Sequence, residues 1–197
     1  DKNTKVLEVG SGMGAITGVL AEKAGSVTCV DLSKKRSLIN AYRNREHDNV
    51  TIYVGNFNDI EPVLPCDYDY VLLIGVFEYG QSYIPTQTPF EDFLKINQKH
   101  VKKDGNLVIA IENKMGMKYW AGCVEDHLSQ FFAGIEDYPD GGVVRTFTRG
   151  GFEKLFAKCG ISDYHFYYPY PDYKFADTIY SDRRLPKVGE LSKNLRN

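Results

Sequence analysis

Gly10, Gly12 and Gly14 crowd into five residues of "VLEVGSGMGAITGVL" (Val6–Leu20), with Glu8 two positions before the first of them. Gly10, Gly12 and Ala15 satisfy the G-x-G-x-x-G/A fingerprint, a strand-to-helix turn whose backbone approaches a nucleotide. Asp31 follows 21 residues after Gly10, where a carboxylate accepts hydrogen bonds from a ribose diol. Glu8 bears on which nucleotide it is. A pyrophosphate beside it is repelled, at roughly a few kcal/mol if poorly solvated, whereas an ammonium or a sulfonium is attracted. Two plainer readings stay open: a Glu8 that caps the loop's own amides, and a tight turn that holds no ligand.

A second set of reactive side chains lies beyond residue 111. His127 sits within "EDH", so Glu125 or Asp126 can orient or charge it, the arrangement of a general base for a hydroxyl acceptor. Glu112 and Asn113 fall just after an apolar strand, at the edge where α/β sheets place ligands. Tyr119 and Trp120 offer an acceptor wall or simple packing, and Arg145 an anion contact or a structural ion pair. Lys114 reads as a solvated cation. In "YHFYYPYPDYKF" (Tyr164–Phe175), alternation puts Tyr164, Phe166 and Tyr168 on one face as core. Tyr170, Asp172, Tyr173 and Lys174 then form a proline-stiffened loop able to meet a carbohydrate. No clustered Asp, Asn and His set suggests a metal.

The elements that must position these residues alternate strand and helix through residue 111, the pattern of a parallel sheet covered on both faces. Strands are expected at Lys5–Val9, Ser26–Asp31, Val50–Val54, Tyr70–Val76 and Asn106–Ile111, with a turn at Asp104-Gly105. Helices are expected at Ala15–Ala24, from a Ser33 cap to about Arg45, over Phe90–Val101 and from about Arg149 to Lys158. Glu112–Val144 breaks the alternation and reads as an insertion over the sheet's functional edge. A short strand near Thr178–Tyr180 follows.

The chain has 197 residues, 43% hydrophobic and 25% charged, enough for one α/β domain with a real core. Its net charge of −2 gives no global reason to expect nucleic acid or an anionic membrane. Cys29, Cys66, Cys123 and Cys159 form no CxxC pair and read as reduced thiols. No apolar run approaches the roughly 20 residues that span a bilayer. The abrupt opening "DKNT" suggests either a domain excised from a longer protein, the preferred reading, or a protein missing a leading helix.

"VLEVGSGMG", "VDLS", "VGNFND" and "YVLLIGVFEY", in that order over about Lys5–Ile111, resemble the motif set of class I S-adenosylmethionine-dependent methyltransferases. S-adenosyl-L-methionine carries an ammonium and a sulfonium and no phosphate, which accords with Glu8. The resemblance implies a Rossmann-like α/β fold with a mostly parallel seven-stranded sheet and an insertion after the fifth strand. It implies cofactor contacts from Glu8, Gly10, Ser11, Gly12 and Gly14, from Asp31 and Leu32, and from Asn56, Phe57, Gly75 and Val76. Asn56 stands where the family usually has an acidic residue, but it keeps an acceptor oxygen. Gly75–Tyr79 ("GVFEY") should face the methionine portion and the acceptor, with Tyr79 on the acceptor side. It lacks the Asn/Asp-Pro-Pro-aromatic signature of nucleic-acid amino methylation, so no nucleic-acid partner is expected.

"AIENKMGMKYWAGCVEDH", "RTFTRGGFEKL" and "FYYPYPDYKF" resemble a bacterial subgroup found beside glycosyltransferases of cell-surface polysaccharide assembly. That implies a cytoplasmic enzyme that O-methylates a saccharide or other small polar acceptor, with an adjoining glycosyltransferase domain as a partner. The expected organisation is a single methyltransferase domain over 1–190, its cofactor half about 1–111 and its acceptor half about 112–190, and a tail or linker over 191–197. The expected roles are His127, Glu125 and Glu112 in catalysis, and Tyr79, Asn113, Tyr119, Arg145 and Tyr173 in acceptor binding. The rivals are a catalytically silent cofactor-binding scaffold and a nicotinamide-dependent oxidoreductase; Glu8 and "GNFND" argue against the latter.

Overall fold

A computed structural model describes residues 1–190; the expected tail at 191–197 lies outside the described residues. The chain divides into two compact units, 1–111 with 138–145, and 112–137 with the residues from 146 onward.

The first unit is built on five parallel strands: β1 (Lys5–Val9), β2 (Ser26–Asp31), β3 (Val50–Val54), β4 (Tyr68–Ile74) and β5 (Val101–Ala110). They lie in the order β3-β2-β1-β4-β5, so the chain reverses direction across the sheet between β1 and β4. β1 is buried along four of its five residues, as a strand at the centre of a parallel sheet should be. Its alternation puts Val6 and Glu8 on one face and Leu7 and Val9 on the other. On the first face Val6 joins Val27, Cys29, Leu72, Ala21 and Ala24 in an apolar cluster. Ala21 belongs to α1 (Thr17–Lys23), so this face looks toward α1.

Helix α2 (Lys34–Arg43) starts at Ser33, whose hydroxyl accepts the Arg36 amide at 3.3 Å. Two single-turn helices follow, α3 (Phe57–Ile60) and α4 (Gly80–Tyr83), and then α5 (Pro89–Lys99). Pro89 opens α5, where its missing N–H costs nothing. Asp92, in its first turn, accepts from the Thr86 and Thr88 hydroxyls at 2.6 and 3.1 Å. Phe93 on α5 is fully buried. Its ring lies 6.0 Å from Phe57, 5.9 Å from Phe77 and 5.9 Å from Tyr83.

The turn expected at Asp104-Gly105 is a bulge inside β5. Val101 pairs with Tyr68 and Asn106 with Tyr70, so the surplus residues between them are looped out of register. Gly105 fits because a Cβ there would lie 2.8 Å from the Tyr68 carbonyl oxygen and 2.9 Å from that of Asp69.

The second unit holds α6 (Met117–Trp120), α7 (Arg149–Lys158), β6 (Tyr167–Tyr170) and β7 (Thr178–Ser181). Thr148 caps α7 by accepting the Gly151 amide at 3.0 Å. Among the described residues the expected seven-stranded sheet is not formed. β6 and β7 pair with each other, antiparallel, as a separate two-stranded sheet. Pro169 in β6 has no N–H to give a second neighbour, which suits a strand in a small hairpin. Just before it, Tyr164 and Phe166 pack their rings 5.0 and 6.2 Å from Phe156 of α7. No helix among the described residues is long and apolar enough to cross a membrane.

The aromatic cluster around Phe93 sets the first fold prediction. Phe93→Ala should lower unfolding stability by about 3–5 kcal/mol, while Lys95→Ala, exposed one turn-face away, should stay within about 0.5 kcal/mol. Urea denaturation of the two variants checks this.

Candidate active site

A crevice opens at the carboxyl ends of β1 to β4, where the strand order reverses and α/β sheets bind ligands. Val9 and Gly10 form one wall, Val30, Asp31 and Leu32 a second, and Gly55, Phe57, Val76 and Tyr83 the rest. As it stands, the cavity of about 10 Å³ has room for one water. Of the expected cofactor residues, Gly10, Asp31, Leu32, Phe57 and Val76 line it; Glu8, Ser11, Gly12, Gly14, Asn56 and Gly75 do not.

The glycine loop is pinned by its own amides. Those of Gly10 and Ser11 donate to the Val30 carbonyl at 2.7 and 3.2 Å, and that of Gly14 to the Ser11 carbonyl at 3.0 Å. The Gly12 amide donates to Asp31 Oδ2 at 2.9 Å. Gly10, Gly12 and Gly14 have φ of 75°, 55° and 74°, a region closed to most side chains. At Gly10 a Cβ would also lie 2.2 Å from Val76 Cγ2.

Asp31 is buried yet heavily engaged. Besides Gly12, its Oδ1 accepts the Ser33 amide at 2.8 Å and lies 3.4 Å from Arg36 Nε. A carboxylate has about four acceptor positions, so lone pairs remain for a ribose diol. Asn56 caps α3, its Oδ1 accepting the Asn58 amide at 3.1 Å. Gly75, with φ of 65°, donates its amide to the Ala110 carbonyl at 2.8 Å.

Glu8 faces α1, as the β1 alternation requires, and is turned away from the crevice. Its Oε2 accepts the Thr17 hydroxyl at 2.6 Å and lies 3.5 Å from Cys29 Sγ. Burial raises the Glu8 carboxyl above its ordinary range, with Thr17 and Cys29 pulling the other way and the Asp31 charge adding to the rise. Burial first, then the Glu8 charge, pushes the Cys29 thiol up to about 12. The sequence reading missed Tyr83, whose hydroxyl is raised by burial and then by Asp31; the signal was its position one helical turn past "GVFEY".

Arg145 and Tyr79 also belong to the first unit. Arg145 donates its amide to the Glu78 carbonyl at 3.0 Å, and its guanidinium lies 4.8 Å from the centre of the Tyr138 ring. Tyr79 sits in a tight turn, its amide donating to the Val76 carbonyl at 3.0 Å.

In the second unit, His127 Nδ1 lies 2.9 Å from Glu125 Oε1. Glu125 Oε2 accepts the His127 and Leu128 amides at 2.8 and 2.7 Å. Burial opposes the Glu125 charge, but the His127 contact and these amides outweigh it and lower its carboxyl. Nδ1–H on this carboxylate leaves Nε2 as the basic ring nitrogen, an assignment that rests on the hydrogen bond. Glu112 is buried, its Oε1 2.6 Å from Lys174 Nζ and 3.5 Å from the Tyr173 hydroxyl. The Glu112 contact holds the Lys174 ammonium above its usual range. Glu112 Oε2 has no hydrogen-bond partner among the described residues.

Tyr119 is packed inside this unit and gives its hydroxyl to Asp126 at 2.5 Å. Burial and this bond raise the phenol. Lys118 bridges Asp126 and Asp172 at 2.6 and 3.4 Å, a lysine the sequence did not single out. Asn113 closes a turn, its Oδ1 accepting the Met115 amide at 3.0 Å.

Residues 1–148 match the family model described as "Methyltransferase domain". The chain is similar to ribosomal RNA small subunit methyltransferase A of Streptococcus gordonii, at 29% identity over 60% of this chain and 48% of that one. The protein of the same name from Streptococcus sanguinis matches at 28% identity over the same shares. The chain thus spans about half the length of the curated relatives it matches. Among solved structures it shares its fold with Haemonchus contortus phosphoethanolamine N-methyltransferase 1, determined with phosphoethanolamine and S-adenosylhomocysteine. That likeness has a TM-score of 0.55 and 19% identity, covering 78% of this chain and 30% of the other. A SAM-dependent methyltransferase from Geobacter sulfurreducens, in complex with S-adenosyl-L-homocysteine, has a TM-score of 0.53 at 16% identity, over 85% and 58%.

Glu8 generates a pH prediction. A carboxyl with a folded value above its unfolded one binds more protons folded than unfolded, so stability falls as pH rises between the two values. Wild type should therefore lose stability as pH climbs from the ordinary Glu value toward the raised one. Glu8→Gln, which keeps an oxygen for Thr17, should lack that decline. Urea denaturation at a series of pH values checks it; parallel pH profiles for the two proteins would exclude a buried, raised Glu8.

Proposed function

The chain belongs to the methyltransferase-domain family, and we propose that it uses S-adenosylmethionine to methylate an oxygen of a saccharide or another small polar acceptor. One observation carries the choice of cofactor. The amides of Gly10, Ser11, Gly12 and Gly14 are all spent within the protein. Among the described residues, the only charged one lining the crevice is the anionic Asp31. The glycine-loop amides that would meet a pyrophosphate are thus occupied, and an adenosyl group with a sulfonium needs none of them.

The residues present fit that group. Asp31 keeps acceptor capacity for both ribose hydroxyls, Leu32 and Phe57 offer apolar surface to an adenine, and Gly10 beside Val76 keeps the turn free of side chain. Bound S-adenosylmethionine supplies a methyl group already activated on sulfur. His127 Nε2 then takes the acceptor proton while Glu125 fixes the ring's tautomer and offsets the imidazolium charge. Glu112 Oε2 accepts a hydrogen bond from a neighbouring acceptor hydroxyl, and the Tyr173 ring gives a sugar a platform. A cytoplasmic setting beside a glycosyltransferase domain suits such an acceptor.

The ribosomal RNA methyltransferase relatives favour a second reading, an RNA acceptor. Against it, Gly75-Val76-Phe77-Glu78-Tyr79 stands where amino-group methylation of nucleic acid has its Asn/Asp-Pro-Pro-aromatic signature. Transfer of labelled methyl to sugar nucleotides and lipid-linked saccharides, set against ribosomal RNA, separates the two.

Three outcomes test the proposal. Titration calorimetry should give micromolar binding of S-adenosylmethionine or S-adenosylhomocysteine, with NAD and ATP at least about tenfold weaker, roughly 1.4 kcal/mol; equal or tighter NAD binding overturns the cofactor. Asp31→Ala should weaken that binding by about ten- to a hundredfold, from charge-assisted bonds worth roughly 1.5–3 kcal/mol each. On an acceptor found in the panel, His127→Ala should cut turnover with cofactor binding heat nearly unchanged, whereas Tyr173→Ala should raise the acceptor KM. Wild-type turnover by His127→Ala would remove His127 as the base.

A further inference from the structure

Helix α2 is inverted. It turns Ser37 and Asn40 inward, with Asn44 just past its end, while Leu38 and Tyr42 stay exposed. A surface helix ordinarily buries its apolar stripe and exposes its polar one. Burying primary amides costs free energy unless hydrogen bonds replace water, and here the replacements lead to the glycine loop.

Asn40, fully buried, donates Nδ2 to Ser11 Oγ and to Thr17 Oγ1, both at 3.3 Å. Its Oδ1 accepts Asn44 Nδ2 at 2.7 Å, and that same amide lies 3.4 Å from the Gly14 carbonyl. Thr17 carries the chain on to Glu8. The two asparagines thus hold the start of the loop, its end and the first residue of α1.

The fit leaves no slack. A Cβ on Gly14 would sit 2.2 Å from Asn40 Oδ1 and 2.6 Å from Asn44 Nδ2. One on Gly18 would sit 2.7 Å from Asn44 Oδ1. Gly18 has an ordinary helical backbone, so only this contact calls for a glycine there. None of these side chains lines the crevice.

We infer that Asn40 and Asn44 are positioning residues, which set the shape of the glycine loop from beneath and thereby the affinity of the crevice for its cofactor. An apolar α2 would hold the helix to the sheet equally well. Directional hydrogen bonds specify the loop's geometry as well as its proximity. The inference rests on the reading that the crevice takes S-adenosylmethionine, but the loop's own order can be measured without a ligand.

The test pairs amide hydrogen exchange on the ligand-free chain with calorimetric titration of S-adenosylhomocysteine. Asn40→Ala should speed exchange at Gly12 and Gly14 by at least about tenfold, leave Leu7 and Cys29 in β1 and β2 unchanged, and weaken binding by about tenfold. Gly18→Ala removes no polar group and in an ordinary helix would stabilise. Here it should displace Asn44 and shift both readouts in the same direction. Should Asn40→Ala fail to fold, Ser11→Ala takes its place with the same expectations. Wild-type affinity in the folded variants overturns the inference, and so does exchange that rises evenly through the core strands. A wild-type protein that binds no S-adenosylhomocysteine counts against the cofactor instead, and the exchange comparison still decides the asparagines.

Discussion

The Asp31 carboxylate, buried at the end of β2, must find hydrogen-bond donors, and it finds them in the Gly12 amide of one loop and the Ser33 amide of the next. A buried charge without such donors costs several kcal/mol, so the two loops cannot relax independently of β2. Gly12 must then adopt a left-handed backbone to aim its N–H at the carboxylate. Ser33, tethered through its amide, is placed to cap α2 with its side chain. The glycine fingerprint common to dinucleotide sites is here turned partly inward. The amide that elsewhere faces a phosphate is spent on a carboxylate, and that difference separates two cofactor chemistries that the glycine spacing alone leaves together.

The same economy of polar groups runs beneath the loop. Glu8, Thr17, Cys29, Asn40 and Ser11 form one buried network between the sheet, α1 and α2. Glu8 entered the sequence argument as a charge that would repel phosphate across the crevice. Its hydrogen bonds point instead to the opposite side of β1. Its influence on the crevice therefore passes through Thr17 and the loop, in addition to whatever field it exerts at a distance. The Cys29 thiol, pushed up to about 12 by burial and by Glu8, serves this network as a weak polar neighbour and is no nucleophile at neutral pH.

Local signals were enough for much of the scaffold. β1, β2 and β3 follow from apolar runs bounded by turn residues, and α7 has the expected bounds, Arg149 to Lys158, behind a Thr148 cap that the structure adds. Ser33 was legible as a cap because its chemistry is local. β4 begins two residues earlier than its apolar run, since Tyr68 is drawn in by pairing with Val101. Gly105, a turn by composition, is a bulge because its carbonyl neighbours belong to β4, far away in sequence. The same limit hid Asn40 and Asn44, whose partners lie in the glycine loop and α1, and Lys118, whose carboxylates lie 8 and 54 residues away. Period-2 alternation in β1 did contain the direction of Glu8, once Val6 is known to face α1.

Hydrogen bonding distinguishes the three acceptor-side candidates. Glu112 has one oxygen held by Lys174 at 2.6 Å, an ion pair that ties that oxygen to the lysine. Glu125 has both oxygens occupied, one by the His127 ring and the other by two backbone amides, and its carboxyl is lowered accordingly. A carboxylate held that way is suited to orienting a ring and matching its charge; as a base it would first have to give up its hydrogen bonds. His127 stands in the other position. Protonation on Nε2 creates a cation directly beside Glu125, so the arrangement that fixes the ring also stabilises the product of proton uptake. His127 and Glu125 are thereby joined as a hydrogen-bonded pair in which the carboxylate fixes the ring, while Glu112 keeps one oxygen on Lys174 and the other without a hydrogen-bond partner among the described residues.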